Sequence, residues 1–442
     1  MTPLDLLADL IGRAKAAGAD VADAVLLSGT SLSVERRLGR TEKLEQSEAR
    51  DLGLRVFVGR RSAVVSSSAA DPAGFAALAE RAVAMARVEP EDPYSGLAEQ
   101  ASAPEPAALD LHDPAAPDAA ALLARASAAE EAALAVSGVT NSEGAEATYR
   151  HSDVVLVTSA GFAGQYSRTS HGVTAVALAG AGVDMQRDYD SASAVHLSDL
   201  EDAAGIGHTA GTRAVARMNP RRARTARLPV VYDPRVAGSL LNHLTAAING
   251  ATIARGTSFL KDMLGQAVFA AGMEVHDDPR RPRGLRSKPF DAEGVPTAAR
   301  ALVQDGVLTT WLLDSRSARQ LGLRSTGHAV RGTGGPPSPA PTNLFMAPGT
   351  LSPTALMADI REGLYVTELI GMGVNGITGD YSRGAAGFMI RDGVLAEPVA
   401  EITIAGSLPA MFRELTAADD LVLRRGTDAP TVRVEGMTLA GA

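Results

Sequence analysis

Gly387-Phe388-Met389-Ile390-Arg391-Asp392-Gly393-Val394-Leu395-Ala396-Glu397-Pro398-Val399-Ala400 sets two apolar runs on either side of an Asp-Gly pair. Both residues of such a pair tolerate positive φ, so the stretch predicts a tight hairpin joining Gly387–Ile390 to Val394–Ala400. The same device recurs at Asp305-Gly306, between Thr297–Val303 and Val307–Leu313. Upstream, Leu228-Pro229-Val230-Val231-Tyr232 reads as a strand, and Asp233-Pro234 opens a helix from Arg235 to Ile248. Nearer the N-terminus, Leu4, Leu6, Leu7, Leu10, Ile11 and Ala14 fall at helical spacing, with Gly18 where a C-cap belongs. Val21 to Ser68 has the texture of short β runs, such as Ala24–Leu27, Leu54–Val58 and Ala63–Val65. Further helices are expected over 72–86, 119–135 and 200–217, and a β-meander over Asn141–Ser193. Residues 89–118, rich in Pro, Ala and acidic groups, predict a surface excursion. Hairpins with segregated helices make the class α+β. The expected organisation is two domains, 1–225 and 226–442, with mixed or antiparallel sheets, flanking helices and a hairpin-rich C-terminal half.

The 442 residues are 45% hydrophobic but only 4% aromatic, so the core must be built from Ala, Val, Leu and Ile. A formal charge of −9 argues against a general nucleic-acid binder, which carries a basic face. The absence of cysteine removes disulfides, thiolate nucleophiles and Cys-based metal sites. Met1-Thr2-Pro3-Leu4-Asp5 does not begin a signal peptide, and Gly, Ser and charges interrupt every apolar run. A cytoplasmic chain without membrane contact is expected.

Several local patterns suggest chemistry without completing it. Gly332-Thr333-Gly334-Gly335-Pro336-Pro337 is glycine-rich, but prolines stand where a phosphate-binding helix would start, so it reads as a mobile or binding loop. Ser258-Phe259-Leu260-Lys261 matches a Ser-x-x-Lys pair, but its companion motifs are missing and it reads as a helix start. Asp184, Asp188 and Asp190 surround Arg187, which suits a solvated strand edge better than a cation site. His276-Asp277-Asp278 precedes Pro279 and reads as a strand ending in a turn. The four arginines of Asn219–Arg227 lack interleaved aromatics and read as an exposed interdomain turn. A helical zinc hydrolase needs two ligands close together and a base. His243 stands alone among Leu244, Ala247 and Ile248, as a packed or partner-bonded histidine would.

Six segments together resemble the TldD/PmbA family, also called modulators of DNA gyrase. They are Pro229–Pro234, His243–Gly250, Thr257–Leu260, Lys288–Val295, Ser317–His328 and Gly373–Gly384. The likeness is strong over 225–410 and looser before it. In that family TldD subunits carry a HExxxH zinc motif completed by a cysteine, and PmbA/TldE subunits lack it. The six positions here read His243-Leu244-Thr245-Ala246-Ala247-Ile248, with Leu244 for the glutamate and Ile248 for the second histidine. The resemblance therefore implies a PmbA/TldE-type subunit with no catalytic residue, metal ligand or cofactor of its own. It further implies a TldD-type partner holding zinc and peptides or unfolded proteins as substrates. A homodimer is the other assembly. Asn375, Gly376, Gly379 and Gly384 are expected beside the peptide chamber, because glycine lets backbones approach closely. Two other functions compete. One is an autonomous hydrolase using Ser258 and Lys261 or His276 and Asp277; the other is a regulatory protein binding gyrase or nucleic acid.

Overall fold

The fold is given by a computed structural model that describes residues 1–99 and 109–441. Its N-terminal half is one antiparallel sheet of six strands: β1 (Val21–Arg37), β2 (Arg40–Val58), β3 (Arg61–Ser67), β4 (Val139–Thr158), β5 (Ala163–Ala179) and β6 (Gln186–Ala194). Their spatial order is β3-β2-β1-β4-β5-β6. The short β runs expected over 21–68 are instead two long strands and a third short one. Polar residues 40–50 keep the strand going because β2 pairs with β1 along its whole length. That stretch is exposed and dense in Arg, Lys and Glu, which protects an open sheet edge from unwanted pairing.

Alternation along β1 assigns its two faces. Ala24 and Leu26 pack beneath helices α1 (Pro3–Ala16) and α2 (Phe75–Val88), whereas Val25 packs on Phe290 of the C-terminal half. Helices α3 (Ala119–Leu134) and α4 (Ala203–Ala216) cover β4 and β5 through an alanine-rich core. The approach is close enough that a Cβ on Gly207 would lie 1.8 Å from the Ala129 carbonyl oxygen.

Residues from 226 onward form the larger core. β7 (Ala226–Tyr232) is followed by helix α5 (Pro234–Ala247). Three short strands, β8 (Val275–Asp277), β9 (Arg300–Gln304) and β10 (Val307–Leu308), precede a small ribbon of β11 (Ala329–Val330) and β12 (Ser338–Pro339). After β13 (Leu344–Met346) come β14 (Glu362–Val374), β15 (Asp380–Arg391), β16 (Val394–Ser407), β17 (Leu415–Ala417), β18 (Thr427–Asp428) and β19 (Val432–Ala440). One sheet has the order β16-β15-β14-β7-β19-β17, and a further β16–β19 pairing closes five of its strands into a ring. The second has the order β10-β9-β8-β13-β18. Both Asp-Gly hairpins form, with φ of 49° and 77° at Asp305-Gly306 and 47° and 82° at Asp392-Gly393. The chain is thus α+β, with mixed and antiparallel sheets, and the exposed arginines 221, 222 and 224 lie between α4 and β7.

The excursion expected over 89–118 is pinned where it is described; residues 100–108 lie outside the described part. Arg319 donates to the carbonyls of Tyr94, Gly96 and Leu97, and the Arg283 amide donates to that of Leu109. Leu109, Leu111 and Asp113 are buried. Its ends are therefore a strap against the C-terminal half rather than a free surface loop.

Candidate functional site

Helix α5 starts where Asp233 caps it, accepting from the Arg235 amide at 2.9 Å, with Pro234 in the first turn. Leu240, Leu241, Leu244, Ala247 and Ile248 face the core. Leu244 and Ile248, one turn apart, are fully buried. His243 is half-buried, its ring edge-on to Tyr381 of β15 at 5.8 Å between centroids. Its Nε2 is buried without a hydrogen-bond partner among the described residues, as is the Tyr381 hydroxyl. The neighbouring Tyr232 hydroxyl is buried too, 3.3 Å from the Met437 sulfur.

Burial, and next the Arg383 guanidinium, holds His243 below its usual pKa, so the imidazole is neutral near pH 7. Burial raises both tyrosines. One imidazole beside an arginine, with two buried aliphatic side chains at the other motif positions, does not fit a zinc ion. Among the described residues no group of three or more His, Cys, Asp or Glu could hold a metal.

The neutral histidine has a consequence for stability. In the unfolded chain it takes up a proton around pH 6.5, whereas the folded site resists it. Its contribution is complete above pH 6.5 and is lost as the pH falls below that. Replacing His243 by phenylalanine is therefore expected to narrow the gap between urea midpoints at pH 5.5 and 7.5. An unchanged gap would place the imidazole in water.

The segment Gly373–Gly384 comprises the end of β14, the turn at 375–379 and the start of β15. Asn375 and Asp380 close it, the Asn375 amide donating to the Asp380 carbonyl at 2.9 Å, while Asn375 Oδ1 accepts from the Ile377 amide at 2.9 Å. The Gly376 carbonyl accepts from the Phe259 amide at 3.1 Å. Gly379 has φ +81°, and a Cβ there would sit 2.6 Å from Pro409 Cδ. Gly384 lies within β15, opposite Ile370, rather than in the turn. The same hairpin carries Tyr381 and three exposed apolar residues, Ile370 (59%), Met372 (82%) and Ile377 (61%).

The remaining sequence candidates come apart. Ser258 sits in a turn, not a helix; its hydroxyl donates to the Ala247 carbonyl at 2.7 Å and accepts from the Leu260 amide, while Lys261 is exposed. His276 and Asp277 point to opposite sides of β8, as neighbours on a strand must. His276 bonds Glu274 at 2.8 Å and stacks on Phe345. Asp277 is fully buried and accepts from Thr342 and from His328, a pairing that residue spacing does not announce. Asp188 and Asp190 are not solvated: Arg235 and Arg217 meet the first, Arg213 and Arg424 the second. Gly332–Pro337 crosses β2, where a Cβ on Gly53 would come within 2.4 Å of the Thr333 carbonyl oxygen.

An α+β scaffold with a ring-closed C-terminal sheet, and helix α5 carrying the half-buried His243 beside it, defines the class. The chain belongs to the PmbA/TldD family. Three PmbA/TldA metallopeptidase profiles match it: domain 1 over residues 22–86, the central domain over 112–218 and the C-terminal domain over 225–441. Metalloprotease PmbA of Escherichia coli O157:H7 is 37% identical over 428 residues, 96% of this chain and 92% of the relative. The Metalloprotease PmbA homolog of Haemophilus influenzae is 33% identical over 95% of this chain and 92% of its own. Among solved structures, a putative modulator of DNA gyrase from Bacteroides thetaiotaomicron has a TM-score of 0.90 at 24% identity, covering 99% of this chain and 98% of that one. TldE from Thermococcus kodakarensis has a TM-score of 0.87 at 18% identity, covering 99% and 100%. Both share the fold. No helix among the described residues is long and apolar enough to cross a membrane.

Proposed function

We propose that this chain is the PmbA/TldE-type, non-catalytic subunit of a cytoplasmic two-component metallopeptidase. Its TldD-type partner supplies the zinc, and the pair cleaves peptides or unfolded proteins. One observation carries the reading: the two motif positions that would provide a base and a second ligand are Leu244 and Ile248, both fully buried in the core. The family membership and the exposed apolar hairpin beside His243 support an assembly partner. The competing hydrolase reading loses its nucleophile, since the Ser258 hydroxyl is engaged by backbone and Lys261 points to solvent.

The direct test is to purify the chain alone and with a HExxxH-bearing partner, then measure bound zinc and peptide cleavage. Zinc and cleavage in the pair but not in the isolated chain are the expected result. Stoichiometric zinc or cleavage by the isolated chain overturns the proposal.

Asn375, Gly376, Gly379 and Gly384 remain the proposed chamber-side residues, and their geometry selects the informative variant. A Cβ on Gly376 meets nothing within 4 Å, and its φ is not in the left-handed region. Gly376→Val should thus change stability by no more than about 0.5 kcal/mol while lowering cleavage by the pair. Gly379→Val should cost about 1–3 kcal/mol through strain and collision with Pro409, so its loss of activity would say less. Undiminished cleavage by a folded Gly376→Val pair removes the turn from the chamber.

A further inference from the structure

A cavity of about 270 Å3 lies between the sheet face of β1, β4 and β5 and the C-terminal segments around 286–292 and 329–342. It is near the lower end, about 300 Å3, of ordinary small-molecule sites. One wall is apolar: Val25, Leu27, Leu156, Tyr166 and Phe290. The lining also carries four cationic side chains, Arg168, Arg286, Lys288 and Arg331, and one carboxyl, Asp291. Asp291 balances them only in part. Burial, and then Glu293, pushes its pKa up to about 7.

The decisive group is Arg331, whose side chain is only 3% exposed. Its Nη1 reaches Asp23 at 2.5 Å, but Nε and Nη2 are buried with no hydrogen-bond partner among the described residues. Native proteins rarely leave such donors unmet, and Arg331 is one of the residues lining the cavity. Lys288 Nζ commits one proton to the Ala329 carbonyl at 3.1 Å, and Arg286 stands exposed with Nη1 on Thr427. A carboxylate offers two oxygens in the geometry that a guanidinium prefers. Leu27 and Val154 also line an adjoining open groove that continues past Gly29, Ser31 and His151.

We propose that this cavity binds an organic carboxylate bearing an apolar group, its oxygens on Arg331 and Lys288 and its apolar part against Phe290 and Leu27, and that the occupant is the C-terminal residue of a peptide lying in the adjoining groove. The choice of a peptide rests on the peptide-processing reading; the carboxylate site does not. Neither needs the zinc partner.

The test is calorimetric titration of the isolated full-length chain with N-acetylphenylalanine, its C-terminal amide, inorganic phosphate, and an acetylated tripeptide ending in phenylalanine. The acid should bind about tenfold or more tightly than the amide, the value of one charge-assisted interaction, and more tightly than phosphate. Arg331→Gln should abolish that preference. Because Arg331 also pairs with Asp23, Leu27→Trp is the second variant: it should fill the cavity and remove binding while the thermal midpoint is kept. Equal binding of acid and amide, equally strong phosphate binding, no saturable binding of any probe, or full binding by a folded Leu27→Trp chain overturns the site. A tripeptide no tighter than N-acetylphenylalanine overturns the peptide occupant. Because these titrations use the chain without a partner, they fail or succeed independently of the zinc and cleavage measurements.

Discussion

Asp23→Ala is expected to destabilise the fold by about 3–5 kcal/mol, the cost of breaking a buried ion pair from one side. Asp23 is 1% exposed on β1, directly across the ladder from Arg55 on β2. Arg55 donates to its Oδ2 at 2.9 and 2.5 Å, and Arg331 reaches its Oδ1 at 2.5 Å from the other half of the chain. Glu293 lies 3.6 Å from Arg55. Burial alone would push the Asp23 carboxyl up, yet Arg331 and Arg55 hold it below the usual carboxylate range. Removing it leaves two buried guanidiniums facing one more distant carboxylate. Both stay charged at any ordinary pH, so neither can escape by losing a proton. The depressed carboxyl also fixes the acid response: its contribution is present above its unfolded pKa near 3.8 and is lost as the pH falls through the lower folded value. Urea unfolding at pH 7, compared at constant slope, measures the effect. A loss below about 1 kcal/mol would mean that water reaches the cluster.

This cluster is invisible in the sequence, and the reason is physical. Asp23, Arg55, Glu293 and Arg331 come from four distant segments, so no local spacing marks them. The same holds for Asp188, which reads as solvated until Arg235, 47 residues on, closes over it. Features set by neighbouring residues were legible. The two Asp-Gly turns announced their hairpins because positive φ is a local demand. The capped start of α5 announced itself through Asp233-Pro234. Strand length was not legible, because the exposed polar stretch of β2 is held by its partner strand and not by its own alternation. The closure of β16 onto β19 joins strands whose pairing no turn connects.

At the candidate site the division is similar. Three side chains, His243, Leu244 and Ile248, sit within six residues, so their types are read directly from the sequence. Tyr381 and Arg383, which face His243, come from a hairpin more than a hundred residues later. The glycine-rich pattern brought attention to that hairpin for its backbone. Its exposed Ile370, Met372 and Ile377 carry the more consequential property.

Placing Asp at both Met372 and Ile377 is expected to weaken assembly with a TldD-type partner by about 100-fold or more, since buried interface anchors are worth about 2 kcal/mol or more each. Apolar side chains 82% and 61% exposed on one hairpin form a surface that a lone chain has little reason to keep. The hairpin is anchored rather than loose: Gly376 and Gly379 carbonyls accept from the Phe259 and Leu408 amides, so a partner would meet a preformed shape. Two charges there would be solvated in the isolated chain and desolvated in the complex, so the folded chain should keep its thermal midpoint. Sedimentation of the isolated variant, beside co-purification with the partner, separates the two assemblies. Loss of the mixed complex with an unchanged monomeric variant supports the heterodimer. Dissociation of a self-associated wild-type chain by the same substitutions would instead assign the hairpin to a homodimer. Retention of the partner at wild-type affinity would remove this hairpin from the interface and with it the structural support for pairing beside His243.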